Sequence, residues 1–367
     1  MFIDACGLIL ADDKNLHLGE LTRQRAFAAV PFAGRYRLID FPLSNMINTG
    51  LIRVGVATSN KYESLMDHLG TGSSWDLDRK NQGLRILPPY LSSDNYFNNG
   101  DDLNGVLDFL LNSKNEYALV STANNVFSSD YEDMINEHIE SGADITVLFN
   151  NDRPEDGRNL ILDLDQNNKV RDVYLNPEHT RLQTNSLGVV FLQKELLVQI
   201  ITEAISRGIS KLSIEMILRK CEELDVRGYE YEGRVLRINS VKSYYKASME
   251  TLNPDVNNDI FWSSNTVYTK VKDEAPAYIY PDKNVTNSLV ADGCLVNADV
   301  VNSILFRRVE VGENTKLNNS IIGQGSRIGE NVVLENIITD KDCCITDGTV
   351  LKGDLNHPLV IGKGEVV

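Results

Sequence analysis

The sequence predicts an α/β domain over residues 1–250, a connector at 251–280 and a parallel β-helix over residues 281–367. Up to about residue 250, short uncharged apolar runs alternate with segments of helical periodicity. Branched apolar residues then recur at about every sixth position: Val285, Val290, Val296, Val311, Leu317, Ile322, Ile328 and Leu334. Gly and Asn punctuate this second region, as in Val311-Gly-Glu-Asn, Ile322-Gly-Gln-Gly and Ile361-Gly-Lys-Gly. They supply tight corners between six-residue sides that each turn one aliphatic side chain inward. The phase slips between Leu317 and Ile322, so coils of unequal length are expected.

The first domain opens on an apolar run from Ala5 to Ala11 that reads as a strand buried on both faces. Further strands are expected at 52–58, 117–121, 144–149 and 187–192. Helices are expected at 128–141, capped by Ser129 or Asp130, and at 194–207. A third is expected at 213–224, capped by Ser213 and carrying Ile214, Ile217, Leu218 and Cys221 on one stripe. Met134, Ile135, His138 and Ile139 form the matching stripe of the first helix. Residues 70–81 and 90–102 are rich in Gly, Ser, Asn and Asp and read as loops. Residues 251–276 read as a polar connector.

A formal net charge of −16 argues against general nucleic-acid binding, which needs clustered Lys and Arg. No run of about 18 apolar residues and no basic leader occurs, so neither a membrane span nor a signal peptide is expected. The five cysteines (Cys6, Cys221, Cys294, Cys343 and Cys344) are odd in number and have no CxxC spacing. They read as reduced thiols of a cytoplasmic protein. Hexapeptide acyl transfer needs a histidine base on a coil, and only His357 follows His179.

In an open α/β sheet the loop after the first strand normally receives a ligand's phosphates, and glycines let the backbone approach them. Here that loop has no glycine between Gly7 and Gly19 and opens with Asp12 and Asp13. Motifs in order along the chain are Phe32-Ala-Gly-Arg-Tyr-Arg-Leu-Ile-Asp-Phe-Pro-Leu-Ser-Asn45, His68-Leu-Gly-Thr-Gly-Ser-Ser-Trp-Asp-Leu-Asp78, Ile86-Leu-Pro-Pro-Tyr90 and Ser186-Leu-Gly188. With the hexapeptides that follow, they resemble the ADP-glucose pyrophosphorylase (glucose-1-phosphate adenylyltransferase) family over nearly the whole chain. The resemblance implies a Rossmann-like, GT-A-like mixed-sheet nucleotidyltransferase domain and a left-handed β-helix.

Departures from the family pattern carry the functional reading. Its Gly-Gly-x-Gly-x-Arg-Leu phosphate loop is replaced here by Asp12, Asp13, Asn15, His17 and Leu18. A carboxylate about 4 Å from a phosphate charge costs about 4 kcal/mol at an effective dielectric near 20. The simpler alternative, that Asp12 and Asp13 cap or solvate a loop, leaves no triphosphate cradle either. The family's Ala-Lys-Pro lysine falls on Phe27, its first metal aspartate on Asn124 and its second near Arg237. Its sugar-phosphate lysine falls on Asn176, and its Gly-Thr-Ala-Asp-Ala helix start is not recognisable around 100–105. Phosphoryl transfer rests on positioning and charge neutralisation, so catalysis is expected to be lost.

This pattern resembles the D-type, non-catalytic branch of the family in Gram-positive bacteria. The resemblance implies a catalytic glucose-1-phosphate adenylyltransferase subunit as partner in a heterotetramer, with a homo-oligomer of this chain left open. No metal or cofactor is expected in this chain, Mg2+ being held by the partner. Two other readings stay open. One is a weak nucleotidyltransferase using Asp12, Asp13 or Asp40 as metal ligands. The other is a sensor of a phosphorylated metabolite held by Arg23, Arg25, Arg35, Arg37 or Arg53. A residual sugar-phosphate pocket would use Ser186 and Gly188.

Overall fold

Ala5–Leu10 runs up the middle of a mixed sheet, parallel to Arg53–Ala57 on one side and Tyr117–Thr122 on the other. The computed structural model describes residues 3–12, 16, 18–58, 61–80, 82–88, 101–152, 159–175 and 182–367. Asp13, His17 and Asn176 lie outside the described residues, as do Lys14 and Asn15. Among the described residues nine strands make up this sheet. Gly83–Leu87 adds a parallel strand at one edge. Asn185–Gln193 runs antiparallel to Tyr117–Thr122 and pairs onward with Ile145–Asn150, to which Val226–Glu230 is parallel. The hairpin of Leu160–Leu164 and Val170–Leu175 completes the set.

The uncharged first strand follows from burial on both faces. Cys6 and Leu8 pack with Leu103, Val106 and Leu110 of the helix Asp101–Leu111. Ala5 and Ile9 pack with Leu43 and Met46 of the helix Asp40–Asn48. Each alternate side chain thus enters a different core.

Several elements differ from their sequence expectation. A helix does occupy Asp101–Leu111, where no family-like start was recognisable. The helix expected at 128–141 begins at Glu132 with Tyr131 at its cap, not Ser129 or Asp130. Asp130 still accepts the Glu132 N–H at 3.2 Å from one position upstream. Ile139 is exposed on that helix, whereas His138 is buried against Thr146. The helix at 213–224 stops at Leu218 and tightens into a 3-10 turn over Arg219–Glu222. Its cap is as expected, Ser213 accepting from Met216 N at 3.2 Å. The connector is partly helical: Asn253 caps Pro254–Phe261, which buries Val256 and Ile260. The cap-then-proline signal at its start outweighs its sparse apolar spacing.

Beyond residue 277 parallel strands stack on three faces. One face carries Tyr278–Ile279, Val296, Val311, Ile328 and Ile345, a second Val300, Leu317, Leu334 and Leu351. Val296 pairs with Val311 and Val311 with Ile328, so a coil takes fifteen and then seventeen residues. That is the physical content of the phase slip. Asn302, Asn319 and Asn336 turn corners at φ of 46°, 46° and 56°, a left-handed conformation that Asn tolerates better than most residues. Val285 and Val290, in the first coil, are only half-buried.

The third face differs from the other two. It presents the apolar pairs Ile304-Leu305, Ile321-Ile322 and Ile337-Ile338. Leu305, Ile322 and Ile337 fill the inside of the coil. Ile304, Ile321 and Ile338 point the other way, into a cluster with Phe32, Phe41, Tyr244 and Tyr245 of the first domain. The two domains therefore share one hydrophobic core. Tyr245 clamps the seam, its hydroxyl donating to Asn319 O at 2.7 Å. Arg25 Nη1 reaches Asp340 Oδ2 at 2.9 Å, with both side chains 3% exposed, and also donates to Leu21 O at 3.0 Å.

Removing one partner of such a buried pair strands the other charge. Asp340→Ala is expected to destabilise the chain by about 3–5 kcal/mol, and the double change Arg25→Met with Asp340→Leu by clearly less, in denaturant melts. A pH effect belongs to the same seam. Burial first, then Arg37 and Arg25, pulls the Lys341 ammonium from 10.5 down to about 7. Between those values the unfolded chain holds a proton that the folded chain has released, so rising pH stabilises the fold. Lys341→Met should therefore melt above the parent at about pH 6, and the gap should close by about pH 10.

Candidate functional site

The carboxyl ends of Ala5–Leu10 and Tyr117–Thr122 open into a cavity of about 270 Å3. This is where parallel α/β sheets place their ligands. Six positions singled out in the sequence line it together: Asp12, Phe27, Asn124, Ser186, Gly188 and Arg237.

Their roles can be read from their bonds. Asp12 Oδ1 accepts the Phe27 N–H at 3.1 Å, and its Oδ2 accepts from Thr58 Oγ1 at 3.1 Å. It thus caps the short 3-10 turn Phe27–Ala29. Phe27 is 4% exposed and belongs to the apolar cluster that reaches the β-helix. Asn124 Oδ1 accepts from Thr122 Oγ1 at 2.7 Å, while its Nδ2 donates to Asn239 Oδ1 at 3.1 Å. Asn239 passes the chain on to Asn159 at 3.3 Å.

Arg237 lies beside them because Leu236–Arg237 pairs antiparallel with Asn125–Val126, and Ile238 N donates to Asn124 O. Its guanidinium donates to Asn125 Oδ1 and Ser186 O at 3.3 Å each, and to Asn150 Oδ1. All of these acceptors are neutral. Burial pulls its pKa down to about 10, with Asp152 opposing, so it remains a cation at neutral pH. Ser186 Oγ accepts from Gly188 N at 3.1 Å. Gly188, at φ +71°, sits where the register of Asn185–Gln193 shifts between Ser186 and Val189.

The arginines do not gather at this cavity. Arg23 pairs with Glu20 at the surface, and Arg35 is exposed over the Tyr36 ring. Arg25 is spent on Asp340, and the buried Arg37 on Ser64. Arg53 donates to Phe109 O at 3.2 Å and lies over that ring. Asp40 is fully buried, accepting from Arg37 N at 3.0 Å and lying 2.5 Å from His68 Nε2. None of them lines the cavity.

Other lining residues carried no site signal: Asn159 and Asn239 come from distant stretches, and Lys211, Ser213 and Glu215 from around one helix start, where Ser213 signalled only a cap. Asn185 stands one position before the Ser186-Leu-Gly188 motif and could have been found from it. Two buried donors at the site have no acceptor among the described residues: Asn185 Nδ2 and Arg237 Nε. Each such vacancy costs roughly 1–3 kcal/mol.

Among the described residues the donor set does not fit a magnesium ion, which wants carboxylates and phosphate oxygens. Asn124 offers a neutral oxygen already bonded to Thr122, and Arg237 offers a positive charge. Of the described carboxylates on the wall, Asp12 is engaged by Phe27 and Thr58 and Glu215 by Arg219.

Residues 6–253 match the nucleotidyl transferase family, and residues 277–358 match the GlmU-like, C-terminal hexapeptide family. The chain is 39% identical over 95% of its length to the glycogen biosynthesis protein GlgD of Bacillus subtilis (strain 168), covering 93% of that protein. It is 34% identical over 84% of its length to a glucose-1-phosphate adenylyltransferase of Thermotoga neapolitana, covering 75% of it. This chain belongs to the glucose-1-phosphate adenylyltransferase family of nucleotidyl transferases. A second GlgD protein, from Geobacillus stearothermophilus, is 36% identical over 95% of the chain and 93% of that protein. Family membership accounts for the cavity's place at the strand ends.

Gly188 gives a direct test of the site's packing. A Cβ there would lie 2.1 Å from Thr122 Oγ1, on a backbone that side chains rarely adopt. Gly188→Ala is expected to lower stability by roughly 1–3 kcal/mol in denaturant melts.

Proposed function

We propose that this chain serves glycogen synthesis as a non-catalytic subunit, assembling with a catalytic glucose-1-phosphate adenylyltransferase chain and raising or tuning its rate. The observation that carries this is the cavity wall. Phe27 stands there with its N–H on Asp12, Asn124 bonded to Thr122 and Asn239, and Arg237 bonded to Asn125, Asn150 and Ser186, and these three positions offer no metal grip. The likeness to two GlgD proteins over nearly their whole length supports it.

Such a subunit acts by binding the active state of its partner better than the inactive one. A coupling of about 1–3 kcal/mol, or roughly 5–150-fold, is typical of such systems. The shared core between the two domains suits that role, since it holds the surface as one body.

The test is a co-expression experiment with a catalytic relative from the same cell. Purified alone with ATP, glucose-1-phosphate and Mg2+, the chain should release no pyrophosphate above background. Co-purified with the partner in a heterotetramer, it should raise the partner's rate or change its response to effectors. Turnover by the chain alone, abolished by Asp12→Ala, would replace this reading with that of a weak enzyme. Failure to co-purify and no effect on rate would remove it.

A further inference from the structure

One face of the β-helix turns apolar side chains into water. Val296, Val311, Ile328 and Ile345 point inward from its stacked strands. The outward column beside them runs Tyr278, Leu295, Glu310, Arg327 and Cys344, and Val366 bridges to Cys344 at its far end. Both ends of this column are apolar and solvated, Tyr278 being 52% exposed and Val366 70%. Ile279, Tyr280 and Leu295 are exposed next to Tyr278, whose ring meets that of Tyr280 edge-on at 4.9 Å. Single apolar side chains on a surface need no account, but a contiguous set rimmed by charge marks a contact face. Tyrosines are enriched at the centres of such faces.

A groove of about 510 Å3 leads from Tyr280 and Leu295 across the coils to Cys344 and Thr346. Its floor is low at Gly312 and Gly329, where the coils stack so closely that a Cβ on Gly312 would lie 2.6 Å from Gly329 O. Its rim is acidic: Glu313, Glu330 and Asp347 follow one another on successive coils, and neighbouring strands lie about 4.8 Å apart. Like charges so placed repel. Arg327, the one cation among the lining residues, lies 3.6 Å from Glu310.

Charge decides the occupant. A second copy of this chain meeting the same face would set one acidic rim against another. A different chain carrying Lys or Arg along a straight column would answer the rim and relieve its repulsion. We infer that this groove docks the catalytic partner, which covers Tyr278, Tyr280 and Leu295 with an apolar surface and meets Glu313, Glu330 and Asp347 with basic side chains. The inference rests on the reading of the chain as a subunit and names the face that assembles.

The experiment is biolayer interferometry of the catalytic chain from the same cell on the immobilised full chain, with circular dichroism melts of every variant. Tyr280→Ser with Leu295→Ser should weaken the complex at least tenfold, whereas Tyr280→Phe with Leu295→Met should stay within about twofold. Glu313→Lys with Glu330→Lys should weaken it at least tenfold at about 50 mM salt and by less at about 500 mM, where charges are screened within a few ångströms. As a free chain this charge pair should melt at or above the parent, because it breaks up a column of like charge. Damage to the fold would instead lower binding and melting together. Leu111→Ser, at an exposed position ending the helix Asp101–Leu111, should leave the affinity unchanged. Unchanged binding in the serine pair or the lysine pair would overturn the inference, as would an equal loss in Leu111→Ser. Self-association of the free chain that the serine pair abolishes would overturn it too, in favour of a second copy. If the parent binds and activates the partner while neither pair matters, this inference falls alone. If the parent does not bind at all, the subunit reading falls with it.

Discussion

The structure depends on one face of the β-helix being apolar on both sides. In most coils an inward aliphatic alternates with an outward polar residue, and the solenoid can stand in water alone. Here the pairs Ile304-Leu305, Ile321-Ile322 and Ile337-Ile338 leave Ile304, Ile321 and Ile338 needing cover, and Phe32, Tyr244 and Tyr245 provide it. With the coil docked, the strand ends, the 3-10 turn at Phe27–Ala29 and the Arg25–Asp340 pair have fixed positions. Polar groups at this seam are satisfied from the opposite domain, as Tyr245 shows with Asn319. A buried salt bridge is weak evidence for stability by itself. In this seam it fixes register.

The described wall of the cavity is mostly amide in character around one guanidinium. A phosphoryl-transfer centre gathers carboxylates around a metal and donors around a phosphate chain. The bonds among Thr122, Asn124, Asn239 and Asn159 form a continuous neutral ladder, beside the charged groups Asp12, Lys211, Glu215 and Arg237. The fold's ligand crevice is kept.

Much of the fold was legible because its determinants are periodic. Apolar runs marked Ala5–Leu10, Tyr117–Thr122 and Ile145–Asn150, and a six-residue rhythm marked the coils. The helix Pro254–Phe261 was not legible by spacing, since only Val256 and Ile260 face inward. The site was legible where it coincided with family motifs, at Asp12, Phe27, Asn124, Ser186, Gly188 and Arg237. Asn159 and Asn239 were not, because each becomes a site residue only through contacts across the fold. The arginines show the limit most clearly. Their charge is plain in the sequence, but Arg25 is answered by Asp340, which stands 315 residues away. No local pattern announces that distance.

Arg25 and Phe27 are separated by one residue. The first is tied to a β-helix aspartate, and the second forms part of the cavity wall and carries the N–H that Asp12 holds. The segment is therefore a short crank between solenoid and crevice. Solenoid and crevice wall are thus joined through three consecutive residues, Arg25 to Phe27.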